Sequence, residues 1–214
     1  MRQAVILDFD GVVVESFDVK LQAFLKLAEP FGEEILAAAR RRNPFGKGIT
    51  RSIAIRRFFA DELGRDLAPE EADGMVRLFG EMVEEAVVRA PFVPGVREFI
   101  ETQSKRRELF VVSSTPEAEL VRIVAARGLA PFFREVRGFP PAKPENVVAL
   151  LSKWGIAPSL AVLVGDTAAD EQAAAGAGIR FVGRTVSGRP SPFGPGIATI
   201  RDFAGAEALS RILG

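Results

Sequence analysis

Short apolar runs alternate along this chain with longer stretches of helical periodicity, and that alternation restricts the possible folds more than any other feature. Strand-like runs fall at 4–9, 109–113, 161–165, 180–182 and 198–200, with weaker strand character at 135–138. Between them lie helical patterns at 96–105, 116–127, 144–154 and 169–177, and a last one at 203–213. Strands separated by helices predict a parallel sheet covered by helices, a doubly wound α/β core. The runs are apolar at consecutive rather than alternate positions, which fits strands buried on both faces.

One interval breaks the alternation. Residues 16–89 carry no strand signal and predict three or four amphipathic helices, near 17–28, 33–42, 50–63 and 69–88. Met75, Leu78, Phe79 and Met82 recur at i, i+3, i+4 and i+7, one apolar stripe of such a helix. An all-helical insertion between a first strand and its sheet predicts a second small domain at 16–89, the core being 1–15 and 90–214. The segments around Val14-Glu15 and at 90–94 are then its hinges.

Composition removes several kinds of chemistry. Lys+Arg and Asp+Glu both number 28, so no basic field points to a nucleic-acid partner. With no Cys and no His, disulfides, thiolate nucleophiles and imidazole bases or ligands are all excluded. No stretch approaches the roughly 18 apolar residues of a membrane span, and the first apolar run breaks at Asp8, too early for a secretory signal. A cytoplasmic protein with no membrane partner is expected.

The first strand ends in Asp8-Phe9-Asp10-Gly11. On an extended backbone, side chains two residues apart point the same way, so Asp8 and Asp10 are held as a pair. Two adjacent carboxylates resist full ionisation unless a cation or a shared proton intervenes. Asp and Gly also build ordinary turns, and Asp10-Gly11 alone would fit that use. Ligands of open α/β sheets bind beyond the carboxyl ends of the strands. Those ends supply, in order, Asp8 and Asp10; Ser113-Ser114-Thr115; Ala142-Lys143-Pro144; and Gly165-Asp166-Thr167, with Asp170 four residues beyond Asp166. Thr115-Pro116 also fits a helix N-cap followed by a first-turn proline. Carboxylates, one ammonium and hydroxyls beside backbone donors suit phosphoryl transfer with a hard divalent cation, Mg²⁺. With no Cys or His, the nucleophile left is a carboxylate, which gives an aspartyl-phosphate.

Asp8-Phe9-Asp10-Gly11-Val12, Ser113, Lys143-Pro144 and the run from Gly165 to Asp170 resemble the four ordered motifs of the haloacid dehalogenase-like hydrolases. The helical insertion after the first motif resembles the cap of the phosphoglycolate phosphatase and β-phosphoglucomutase-like branch. The resemblance implies Asp8 as nucleophile and Asp10 as general acid and base. It implies phosphate binding by Ser113, Ser114 and Lys143. It also implies a Mg²⁺ site of Asp8, the Asp10 carbonyl and Asp166, with Asp170 beside it or touching the metal through water. From local rules Asp170 could equally cap its helix through Gln172 and Ala173, or support Lys143. Lys47 and Arg51, on and just after a turn-rich loop between two insertion helices, have two readings: solvated charges, or a loop that closes over the site and selects the substrate.

The implied activity is hydrolysis of a small phosphate monoester such as phosphoglycolate or a sugar phosphate. Three rivals stay open: a phosphomutase, a phospho-accepting signalling domain and a cap-mediated binding protein with degenerate catalysis. Mutases of this branch often place a His in the hinge or early cap, and this chain has none. The signalling class usually lacks a helical insertion. Nothing here indicates monomer or homodimer.

Overall fold

The computed structural model describes residues 3–16, 18–42, 44 and 50–214. Along the chain run β1 (Ala4–Leu7), α1 (Val19–Ala28), α2 (Glu33–Arg41), α3 (Arg51–Leu63) and α4 (Pro69–Arg89). There follow α5 (Val96–Gln103), β2 (Glu108–Pro116), α6 (Glu117–Ala126), β3 (Glu135–Phe139) and α7 (Lys143–Trp154). The last elements are β4 (Ala161–Gly165), α8 (Ala168–Ala177), β5 (Arg180–Arg184), β6 (Thr199–Ile200) and α9 (Ala206–Leu213). The chain divides into two compact units, one made of Met1–Glu15 with Ala90–Gly214 and the other of Ser16–Arg89.

The first unit holds a six-stranded sheet of order β3-β2-β1-β4-β5-β6, with every pairing parallel. This is the α/β class that the alternating pattern predicts. β1 lies between β2 and β4, where the strand order reverses. Ala4, Ile6, Phe110, Val112 and Leu163 pack on one face against Val147, Leu150 and Leu151 of α7 and Ala173 and Ala174 of α8. Val5, Leu7, Leu109, Val111, Val162 and Val164 alternate with them and are buried as well, so both faces are covered.

Registry sets the level of the strand ends. Leu7 pairs with Val111 on one side and Val164 on the other. Asp8 continues the ladder by donating its N–H to the Val164 carbonyl at 2.9 Å. Asp8, Asp166 and Ser113 therefore leave the sheet within about two residues of one another, on one rim. β2 runs on past the expected Ser113 to Pro116, because after an irregularity Pro116 pairs with Phe139 of β3.

Among its described residues, the regular elements of the second unit are all helices. Its core is aromatic: Phe24, Phe58 and Phe59 meet edge to face, with centroids 4.8, 5.2 and 5.8 Å apart, and Phe31 packs on Phe59 at 4.8 Å. Thr50 caps α3 by accepting the Ile53 N–H at 3.4 Å, and Gly64 ends that helix in the left-handed conformation. Among the described residues no helix is long and apolar enough to cross a membrane.

Candidate active site

The site grows from the rim beyond β1 and β4. Asp8 is buried, and its Oδ1 accepts the N–H of Phe9 at 2.8 Å and lies 3.0 Å from Lys143 Nζ. Lys143 opens α7, with Ala142 as N-cap and Pro144 following, and it is buried too. Its ammonium donates a short hydrogen bond to Asp170 Oδ1. A lysine is tolerated at such depth only when paired, and here two carboxylates share the duty.

Asp170 completes a capping box on α8. Its Oδ2 accepts both the N–H of Thr167 at 2.9 Å and the Thr167 hydroxyl at 2.6 Å. The helix cap thus runs backwards to Thr167 rather than forwards to Gln172 and Ala173, because Asp170 stands at the third helical position and not at the N-cap. Its other oxygen supports Lys143, so one carboxylate serves helix and site together.

Asp8, Asp166 and Asp170 each offer a carboxylate oxygen within 4.8 Å of the others, a group able to hold a metal ion. The Asp10 carboxylate stands outside that group and accepts the Thr115 hydroxyl, Oγ1 to Oδ2, at 3.0 Å. Thr115 also donates its N–H to Ser113 Oγ at 3.1 Å, while Ser114 is exposed between them. Local rules make Thr115 the N-cap of the next helix; instead Pro116 takes that place, without a side-chain cap, and the Thr115 hydroxyl is spent on Asp10.

The charges are unbalanced. Burial pushes the Asp8 carboxyl well above the usual carboxylate range; Lys143 opposes that rise, and Asp170 and Asp166 add to it. Burial alone would lower the Lys143 ammonium, but Asp8 and Asp170 outweigh it and its pKa is raised. Three crowded carboxylates with one resident ammonium make a group able to hold a further cation.

Two glycines leave room for these groups. Gly11 has φ +74°, and a Cβ there would stand 2.1 Å from Asp166 Oδ2. At Gly165 a Cβ would stand 2.2 Å from that of Asp170.

Of the residues singled out by sequence, Asp8, Lys143 and Asp170 are joined by hydrogen bonds, Asp166 lies with Asp8 and Asp170 in the carboxylate group, and Asp10 and Ser113 meet through Thr115, all within the first unit. Arg51 opens α3 in the second unit, with its guanidinium 5.7 Å from the Phe79 ring centroid. Lys47 lies outside the described residues. Sequence reading passed over Thr115 as a partner of Asp10. It also passed over Asn146, whose Nδ2 donates to the carbonyls of Gly138 at 2.8 Å and Pro141 at 2.9 Å and so pins the loop that delivers Lys143. The run of three hydroxyl residues at 113–115 was the only hint of the first, and the second had none.

The chain is 26% identical over 200 residues to phosphoglycolate phosphatase 1 of Pseudomonas aeruginosa, which spans 89% of this chain and 73% of that protein. It is 26% identical over 190 residues to the phosphorylated carbohydrates phosphatase of Thermotoga maritima, spanning 84% and 83%. In fold it resembles a mutant of CbbY from Rhodobacter sphaeroides solved with xylulose-(1,5)bisphosphate, with a TM-score of 0.75 at 19% identity over 99% of both chains. The sequence model of the haloacid dehalogenase-like hydrolases matches residues 3–178, from the start of β1 to the end of α8, a stretch that takes in all four strand-end segments of the site. This protein belongs to the haloacid dehalogenase-like hydrolase family.

Proposed function

We propose that this protein is a Mg²⁺-dependent phosphatase that hydrolyses a small phosphate monoester, of the phosphoglycolate or sugar-phosphate kind, through an aspartyl-phosphate on Asp8. One observation carries the reading: Asp8, Asp166 and Asp170 offer oxygens within 4.8 Å of one another, beside an ammonium 3.0 Å from Asp8. Such an all-oxygen donor set fits a hard divalent cation. Asp8, Asp166 and the Asp10 carbonyl would hold it, with Asp170 alongside. When bound, the ion offsets the negative charge that gathers between nucleophile and phosphoryl group.

The residues divide the remaining work. Lys143 and the Phe9 N–H fix the Asp8 carboxylate in orientation. Its attack on phosphorus breaks the bond to the leaving oxygen, which takes a proton from Asp10. Asp10, steadied by Thr115, then removes a proton from water. That water attacks phosphorus, the bond to Asp8 breaks, and the carboxylate returns as inorganic phosphate leaves. Ser113 accepts the Thr115 N–H and keeps its own proton to donate to a phosphoryl oxygen. The substrate class rests on the two phosphatase relatives.

The test is inorganic phosphate release from a panel of phosphorylated metabolites, with Mg²⁺ and after chelation. Turnover should require Mg²⁺ and should fall on the order of 10⁴-fold or more in Asp8→Asn. Activity in that variant within about tenfold of wild type would sink the nucleophile assignment. A sugar phosphate returned as its positional isomer without phosphate release would replace the hydrolase by a mutase.

A further inference from the structure

Arg184, the last residue of β5, is 5% exposed, yet the chemistry above does not use it. Arginine is almost never buried without partners, and here every donor edge is engaged. Nη1 donates to the Gly11 carbonyl at 2.7 Å and to Glu15 Oε2 at 3.0 Å; Nη2 donates to Glu15 Oε1; Nε donates to the Arg201 carbonyl at 3.0 Å. A single side chain thus ties together three segments far apart in sequence. Lysine could not make this fork, since its ammonium is a point charge without the planar spread of donors.

The segment it grips is the turn that follows the nucleophile. Gly11 donates its N–H to the Val14 carbonyl at 2.9 Å, which orients the Asp10–Gly11 peptide. Arg184 holds the next peptide through the Gly11 carbonyl. The glycine Cα faces Asp166 so closely that no Cβ fits between them. The Asp10 turn is therefore wedged, with Asp166 on one side and the guanidinium on the other. Glu15, the last residue of the first unit before Ser16, locks the guanidinium in place.

We propose that Arg184, oriented by Glu15, is a positioning residue for the phosphoryl transfer assigned above: it sets the Asp10 turn against Asp8 and Asp166 without touching substrate. The pair joins a buried guanidinium to a carboxylate whose side chain is 35% exposed, so solvent already screens part of it and its net contribution to stability is small. Geometry, more than stability, is then what the pair supplies.

The inference rests on the phosphatase reading, and full-length protein with Mg²⁺ and p-nitrophenyl phosphate tests both. Arg184→Met leaves the Gly11 and Arg201 carbonyls and the partly exposed Glu15 carboxylate without their donor, so melting temperature and kcat should both drop. In the double variant Arg184→Met/Glu15→Met the unpaired carboxylate is gone and the melting temperature should recover in part. Its kcat should stay about 10²-fold down, with kcat/KM falling in parallel and KM near wild type. Arg184→Lys should regain part of that kcat, and it covers the case in which the double variant does not fold. Calorimetric titration with Mg²⁺ gives a readout free of turnover: the ion should bind about tenfold more weakly to the double variant. Wild-type kcat and Mg²⁺ affinity in a folded Arg184 variant would overturn the positioning role and leave the phosphatase standing. A wild-type protein that releases no phosphate from this ester or from the metabolite panel would overturn the phosphatase reading itself.

Discussion

The two units treat charge in opposite ways. At the rim of the sheet unit, Asp8, Lys143 and Asp170 are 5%, 7% and 0% exposed, and their side chains bond to one another, to the Phe9 N–H and to Thr167. In the helical unit the ion pairs stand in water: Arg42 with Asp61 and Glu62, Arg56 with Asp73, Arg65 with Glu71. That unit's interior is apolar, with a cluster of phenylalanines among aliphatic side chains. Exposed pairs contribute little to stability, because water already solvates both partners and the side chains resist being ordered. Burying charges is costly, so a fold that keeps three together has a use for them. The contrast is between buried charges held against one another and exposed charges that keep a surface wetted.

The contrast breaks most visibly at Lys143. Lys143→Ala should lower kcat/KM by about 10²–10³-fold, since it removes a fixed cation from the place where phosphoryl charge develops. Phosphate-release kinetics check this, and a variant near wild type would mean the ammonium is only structural. In the helical unit the matching large effect should be on stability alone. Phe59→Ala opens a cavity at a fully buried ring and should cost about 3–5 kcal/mol, read from denaturant unfolding.

A smaller effect concerns pH. The folded Asp8 carboxyl has a raised pKa, so native protein keeps a proton that the unfolded chain has already released. The Asp8 contribution to stability is then fully present below the ordinary carboxylate range and is lost as pH rises through the folded value. Without metal, Asp8→Asn should gain on wild type as pH climbs from about 4 to 8, and added Mg²⁺ should close the gap. Melting curves across that range check it; a constant difference would contradict the raised pKa. Smallest of all, Arg65→Ala should leave the melting curve unchanged, since its pair with Glu71 is solvated.

Much of this was legible before the structure. Strands buried on both faces leave unbroken apolar runs, and each run that ends in a polar group at the rim announces where the sheet stops; Asp8, Ser113 and Asp166 were found that way. Contacts that depend on registry left no such trace. Thr115 followed by proline satisfies every local rule for a helix cap, yet Asp10, distant in sequence, takes the hydroxyl. Arg184 ends an ordinary strand, and its hold on Gly11 and Glu15 exists only once β5 lies beside β4 and the β1 turn has folded. Asn146 looks like any residue in the first turn of a helix until the loop before it closes. The substrate-facing expectation for Lys47 falls outside the described residues, and Arg51 places its guanidinium over the Phe79 ring.

The wedge at Gly11 and the close approach at Gly165 have a practical consequence for anyone who engineers this enzyme. Libraries that sweep the neighbourhood for new specificity will find these two positions poorly permissive, although neither bears a functional group. A single methyl at either one competes for volume with an oxygen or carbon of a neighbouring aspartate, so the first casualty is the acidic cluster and not the scaffold around it.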